Sequence, residues 1–124
     1  GTVHVMQCKP IQVENYKKLA KGVRNYDCRT GDDIIDLDEV KPGHKIVYTL
    51  FRISVEQVGV PTFERIVLKV EKFSSKKELM RAHPEIKITS SFNLPKWRQR
   101  LIVIWGNIAF PKNKPYTIFW FEKK

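Results

Sequence analysis

Lys45-Ile46-Val47-Tyr48-Thr49-Leu50-Phe51-Arg52-Ile53-Ser54-Val55 and Phe63-Glu64-Arg65-Ile66-Val67-Leu68-Lys69-Val70-Glu71-Lys72-Phe73 are the two runs that decide the fold class. In the first, Ile46, Tyr48 and Leu50 share one face, and Val47, Phe51, Ile53 and Val55 share the other. In the second, Ile66, Leu68 and Val70 point one way, while Arg65, Lys69 and Glu71, joined by Val67, point the other. Side chains alternate across a strand, so a period of two predicts two strands. Gly59-Val60-Pro61 breaks the chain between them, and the pair is expected to form an antiparallel hairpin with one wet face.

Before the hairpin, Val3–Cys8 reads as a strand ended by Pro10. Val13–Lys21 reads as a helix, with Val13, Tyr16, Lys17 and Ala20 on one face and Gly22 as its stop. Val23–Arg29 is short and extended, Thr30-Gly31-Asp32 signals a turn, and Ile34-Ile35-Asp36-Leu37 a short strand. Lys41-Pro42-Gly43 turns the chain into the hairpin.

Beyond the hairpin, Ser75-Lys76-Lys77-Glu78 fits the capping box, in which the serine oxygen takes a free helical N–H and the glutamate reciprocates. A short helix from Ser75 to Ala82 follows, ended by Pro84. Pro95–Arg100 reads as an exposed loop, Leu101–Trp105 as a central strand apolar on both faces, and Tyr116–Phe121 as a closing strand. The sum is an α+β fold: a mostly antiparallel sheet, or a small β-barrel, of about six or seven strands with two short helices. The 124 residues form a single domain, 1–124.

At 42% hydrophobic the chain can bury a core without a staple. No apolar run reaches the ~20 residues that span a bilayer. The chain begins Gly-Thr rather than Met, as a processed or excised chain does, and a removed leader stays open. Cys8 and Cys28 would pair in a secreted protein and stay thiols in a reducing compartment. No acceptor site for N-linked glycan is visible, which tilts the balance toward an intracellular setting.

Charge is split along the chain. Residues 1–39 carry six Lys/Arg against seven Asp/Glu, and residues 40–124 carry seventeen against six, so the net charge of +10 sits on the C-terminal two-thirds. That exceeds the magnitude of about 2–8 that solubility alone suggests. Fixed cations release counterions from phosphates and aromatic faces stack on bases, so a basic sheet with aromatics suits a polyanion. The candidate contacts are Arg24, Arg29, Arg52, Arg65, Lys69, Lys72, Lys76, Lys77, Lys96, Trp97, Arg98, Arg100, Lys112 and Lys114. Lys96-Trp97-Arg98-Gln99-Arg100 stands out, since a Trp between guanidinium groups can serve as a stacking platform. Read singly, each of these is a solvating charge and Trp97 a core plug.

Other chemistry is weakly signalled. Asp27, Asp32, Asp33, Asp36, Asp38 and Glu39 gather carboxylates that could hold a hard cation, or simply charge a strand edge against aggregation. His4, His44 and His83 lack metal-ligand spacing, and Cys8 or Cys28 as a nucleophile has no support beyond its presence. No glycine pattern cradles a phosphate. No catalytic residue, metal or cofactor is assigned.

Gly22-Val23-Arg24-Asn25-Tyr26-Asp27-Cys28-Arg29, followed by Gly31-Asp32, resembles the G-x-K-x-x-E-x-R element and Gly-Asp strand start of the ASCH family, small PUA-like β-barrels linked to RNA. Arg24 stands for the Lys and Asp27 for the Glu. Val70-Glu71-Lys72-Phe73-Ser74-Ser75-Lys76-Lys77-Glu78-Leu79 resembles that family's strand, aromatic-Ser and Glu-Leu helix. The resemblance covers about two-thirds of the chain and implies a ligand cleft lined by Arg24, Asp27 and Arg29. The leading expectation is a non-catalytic module binding RNA or single-stranded DNA. The alternatives are a secreted domain with a Cys8–Cys28 bridge that binds an acidic glycan, lipid or protein, and a small hydrolase acting on RNA or a nucleoside.

Overall fold

Five strands make one mixed sheet: β1 (Val3–Cys8), β2 (Tyr26–Thr30), β3 (Lys45–Leu50), β4 (Phe63–Phe73) and β5 (Tyr116–Phe121), in the order β1-β3-β4-β5-β2. The structure, a computed structural model, describes residues 1–30, 39–86 and 114–124. β1 runs parallel to β3, and the other three pairings are antiparallel. The sheet curls as a half-barrel, with α1 (Val13–Lys21), α2 (Val55–Val58) and α3 (Lys76–Ala82) added. The expected α+β class and the β3–β4 hairpin are present. Five strands lie among the described residues, against the six or seven expected. The strands read at Ile34–Leu37 and Leu101–Trp105 and the loop at Pro95–Arg100 fall outside them.

β5 splits the interior in two. Phe119 and Phe121 join Tyr16 and Leu19 of α1, Ile46 and Tyr48 of β3, and Val67 of β4 in one core. Tyr116 and Ile118 join Leu79 of α3 and Ile86 in the other, with Tyr26, Cys28, Phe73 and Trp120 against it. Alternation along β5 therefore feeds both cores, which is why Tyr116–Phe121 is almost wholly buried.

α1 spans the expected residues, and Gly22 ends it at φ 75°. A Cβ there would come within 2.8 Å of Lys124 Cβ, so both backbone and space call for glycine. Its buried face is Asn15, Tyr16 and Leu19 rather than Val13, Tyr16, Lys17 and Ala20. Lys17 instead pairs with Glu14 at the surface, at 3.8 Å.

Two expectations are corrected. The strand read as Lys45–Val55 ends at Leu50. Ser54 Oγ accepts from Gln57 N at 3.1 Å and Gln57 Oε1 accepts from Ser54 N at 3.0 Å, so a reciprocal cap starts α2. In β4 the faces are inverted: Arg65 and Val67 are buried, whereas Ile66 and Leu68 are 37% and 58% exposed. An irregularity between Val67 and Lys69 shifts the register there, so Val70 returns to the α1-side core.

Both cysteines are free thiols. Cys8 lies in the α1-side core and Cys28 packs against the α3-side core, on opposite faces of the sheet. The bridge required by the secreted alternative is therefore not formed.

Candidate nucleic-acid interface

β2 alternates its side chains between the two faces, so Asp27 and Arg29 turn toward α1 while Tyr26 and Cys28 turn toward α3. On the α1 side, Asp27 is 3% exposed and fully engaged. Its Oδ1 accepts from Asn15 Nδ2 at 3.2 Å; its Oδ2 accepts from Arg29 Nε at 3.2 Å and from the Tyr48 hydroxyl at 2.7 Å. Asn15 Oδ1 in turn accepts from Arg24 Nη1 at 2.8 Å. Arg29 Nη2 reaches Cys8 Sγ at 3.7 Å. The structure thus brings Arg24, Asp27 and Arg29 into one hydrogen-bonded chain, with Asn15 and Tyr48 as members that the sequence reading missed.

The electrostatics follow from burial. Burial by itself would lower the Arg29 guanidinium, but the Asp27 carboxylate, with Cys8 and Tyr48, holds it above its ordinary value. Burial, reinforced by Asp27, pushes the Tyr48 hydroxyl well up. Burial outweighs Arg29 at Cys8 and pushes that thiol up to about 11; burial and then Asp27 push Cys28 up to about 12. Thiols held protonated in this way are poor nucleophiles. Asp27 and Arg29 form a charged pair that fastens β2 within the core.

Arg65 is likewise withdrawn from the surface, at 2% exposed. Its Nη1 donates to the carbonyls of Leu19 at 2.7 Å and Arg24 at 3.2 Å. Its Nη2 donates to Asn25 Oδ1 and to the Glu122 carbonyl, both at 2.7 Å. The guanidinium lies over the Phe121 ring at 5.2 Å. Two of the cations read from sequence, Arg29 and Arg65, are therefore consumed inside the protein.

The α3 side carries a half-buried aromatic row. Tyr26 and Trp120 are register partners whose rings lie 5.5 Å apart. His83, just past α3, lies 5.2 Å from Trp120 on its other side and 5.8 Å from Phe73. Arg24 stands over the Tyr26 ring at 5.3 Å, closing one end. At the other end Glu71 Oε1 accepts from Trp120 Nε1 at 2.7 Å and faces His83 Nε2 at 3.0 Å and Lys69 Nζ at 3.5 Å. Burial alone would raise the Glu71 carboxyl; the Trp120 N–H, His83 and Lys69 together bring it below its ordinary value. Arg24 belongs to both sides, since the same guanidinium bonds Asn15 and covers Tyr26.

The remaining candidates spread over the sheet. Lys72 pairs in register with Thr117, and Lys114 leads into Tyr116, so both lie toward the Phe73 end of β4, after which α3 begins with Lys76 and Lys77. Lys72, Lys77 and Lys114 are exposed and Lys76 is half-buried. Arg52 is exposed over the Phe51 ring, at φ 60°, beyond the far end of β3. Lys96, Trp97, Arg98, Arg100 and Lys112, like the Asp32–Asp38 carboxylates, lie outside the described residues. Sequence reasoning missed Tyr26, Trp120 and His83. The signal for the first two was the alternation of β2 and β5, which puts them on one face.

No family model matches the chain, and no curated protein matches it. Among solved structures it is similar to an ASCH domain from Lactobacillus crispatus JV V101, with 12% identity and a TM-score of 0.50. The match covers 98% of this chain and 79% of that one. The fold is ASCH-like. That likeness bears out the resemblance drawn from Gly22–Arg29 and from Val70–Leu79, and it extends over the whole sheet. In this ASCH-like frame, the Arg24, Asp27 and Arg29 positions form an internal network from which Arg24 emerges onto the aromatic row. Among the described residues no helix is long and apolar enough to cross a membrane, and no group of three or more His, Cys, Asp or Glu could hold a metal ion.

Proposed function

We propose that this domain is a nucleic-acid-binding module for RNA or single-stranded DNA, and that the Tyr26–Trp120–His83 row is its stacking surface. The observation that carries the reading is the row itself: adjacent half-buried aromatic rings with Arg24 at one end and Lys69 at the other. Single strands bind where aromatic faces line a cationic track, because every base has a face to stack and every linkage a charge to neutralise. Lys76, Lys77 and Lys114, toward the Phe73 end, would continue the positive charge, and Lys72 would make a phosphate contact from the opposite face of β4. Lys96, Trp97, Arg98, Arg100 and Lys112 remain candidate contacts outside the described residues. Arg52 would make a peripheral phosphate contact. Arg29 and Arg65 act indirectly, by holding β2 and β4 in place. The ASCH-like fold supports the reading, as does the net charge of +10.

The test is an anisotropy titration with labelled single-stranded RNA, single-stranded DNA, duplex DNA and heparin at two salt concentrations. The module should bind a single strand more tightly than duplex, with affinity falling as salt rises and heparin a poor competitor. Weak binding of equal strength to all four, gone at moderate salt, would rule the reading out.

A further inference from the structure

The aromatic row ends in carboxylates, which is unexpected on a phosphate-binding face of a protein with a net charge of +10. Glu71 is occupied by the Trp120 N–H, His83 and Lys69. Glu85 is different: its side chain is 66% exposed, and its Oε1 faces His83 Nδ1 at 3.4 Å. A carboxylate repels phosphate, but it accepts hydrogen bonds from a base edge. We propose that the His83 end of the row is a base-reading site selective for guanine, in which the base stacks beside Trp120 and His83 and Glu85 takes its edge.

The selectivity follows from the donors each base offers. A carboxylate presents two acceptor oxygens and is matched best by two adjacent donors. Guanine alone carries them side by side, the ring N1–H and the exocyclic N2 amino group. Adenine and cytosine offer one amino group next to an acceptor nitrogen, and uracil offers one N–H between two carbonyls. His83 Nδ1 lies 3.4 Å from Glu85 Oε1, which places the carboxylate beside the row. Trp120 is fixed in turn by its N–H bond to Glu71. The stacking ring and the reading carboxylate thus hang from one linked set, Glu71–His83–Glu85 with Trp120.

This inference rests on the nucleic-acid reading above, and the experiment separates their failures. Uridine-rich RNA octamers carrying one central guanosine, adenosine, cytidine or inosine are titrated by anisotropy against the intact protein. The guanosine octamer should bind about tenfold more tightly than the adenosine, cytidine and all-uridine ones, the scale of one bidentate base contact. Inosine lacks the N2 amino group and should lose most of that advantage. Glu85→Gln, a change at an exposed position, should abolish the preference while leaving the all-uridine octamer bound at least as well. Equal affinity for all octamers would overturn guanine selectivity and leave the nucleic-acid reading standing. No binding to any octamer or to the corresponding single-stranded DNA would overturn both. A guanosine preference that survives in Glu85→Gln would overturn the role of Glu85.

Discussion

Tyr48 donates its hydroxyl to Asp27 Oδ2 at 2.7 Å, joining β3 to β2 although β4 and β5 lie between them in the sheet. This cross-link spans the curl of the half-barrel and closes a network that also holds Asn15, Arg29 and Arg24. Because every member is buried or half-buried, removing one costs its neighbours a hydrogen bond in low dielectric. Tyr48→Phe should cost about 1.5–3 kcal/mol, the worth of one hydrogen bond to a charged group, while Arg29 still holds Asp27 Oδ2. Asp27→Asn should cost more, about 3–5 kcal/mol, since it leaves the buried Arg29 charge without its counterion. Urea denaturation of both variants checks the order. Equal losses would mean that the Arg29 charge is neutralised elsewhere.

Arg65 is predicted to act as a clamp and not as a phosphate contact. Its four bonds reach Leu19, Arg24, Asn25 and Glu122, which joins the end of α1, the approach to β2 and the chain after β5. A lysine keeps the charge but lacks the planar fork. Arg65→Lys should therefore lower stability by about 1–3 kcal/mol, by leaving buried carbonyls without donors. At a temperature where the variant is fully folded, its RNA affinity should match that of the parent. A large affinity loss in a folded variant would restore Arg65 to the interface.

These two networks mark where the sequence was legible and where it was not. The strands Val3–Cys8, Phe63–Phe73 and Tyr116–Phe121 and the helix Val13–Lys21 have the bounds that alternation, Pro10 and Gly22 imply. The faces of β4 were misread because hydrophobicity assigns Ile66 and Leu68 to the core and Arg65 to water. What inverts them is a guanidinium with partners in several distant segments, information that no local pattern carries. Ser54-x-x-Gln57 was a visible cap but lay inside a run that alternates well enough to mask it. At the site, the Gly22–Arg29 element located Arg24, Asp27 and Arg29 but not their direction, which depends on the face that each presents.

The thiols give a pH prediction. Each has a folded value above its unfolded 9.0, about 11 for Cys8 and about 12 for Cys28. Below pH 9 both states keep the proton and the stability associated with burying neutral thiols is present in full. As pH rises past 9 the unfolded chain ionises first, so the unfolded state binds fewer protons and stability falls until the folded values are passed. Denaturation midpoints should therefore decline from about pH 9 to pH 11. The decline should be shallower in Cys8→Ala/Cys28→Ala. At pH 8 a thiol reagent should react slowly with native protein and titrate two thiols once it is unfolded, and one or none would contradict the free-thiol assignment.

Trp97 and Trp120 are rival stacking residues that arise from different reasoning. Trp97 is marked by its basic neighbours Lys96, Arg98 and Arg100, and Trp120 by its place between Tyr26 and His83. Replacing a residue that stacks on a base should cost about 1–3 kcal/mol of binding. Trp120→Ala and Trp120→Phe both deprive Glu71 of its donor, so comparing the two isolates the contribution of the ring. Phenylalanine keeps a smaller aromatic ring to stack, and it should retain most of the affinity that alanine loses. A loss on Trp97→Ala with none on Trp120→Ala would move the stacking surface to the Lys96–Arg100 segment. Losses at both would be about additive if the residues hold separate bases, and less than additive if they hold one base between them.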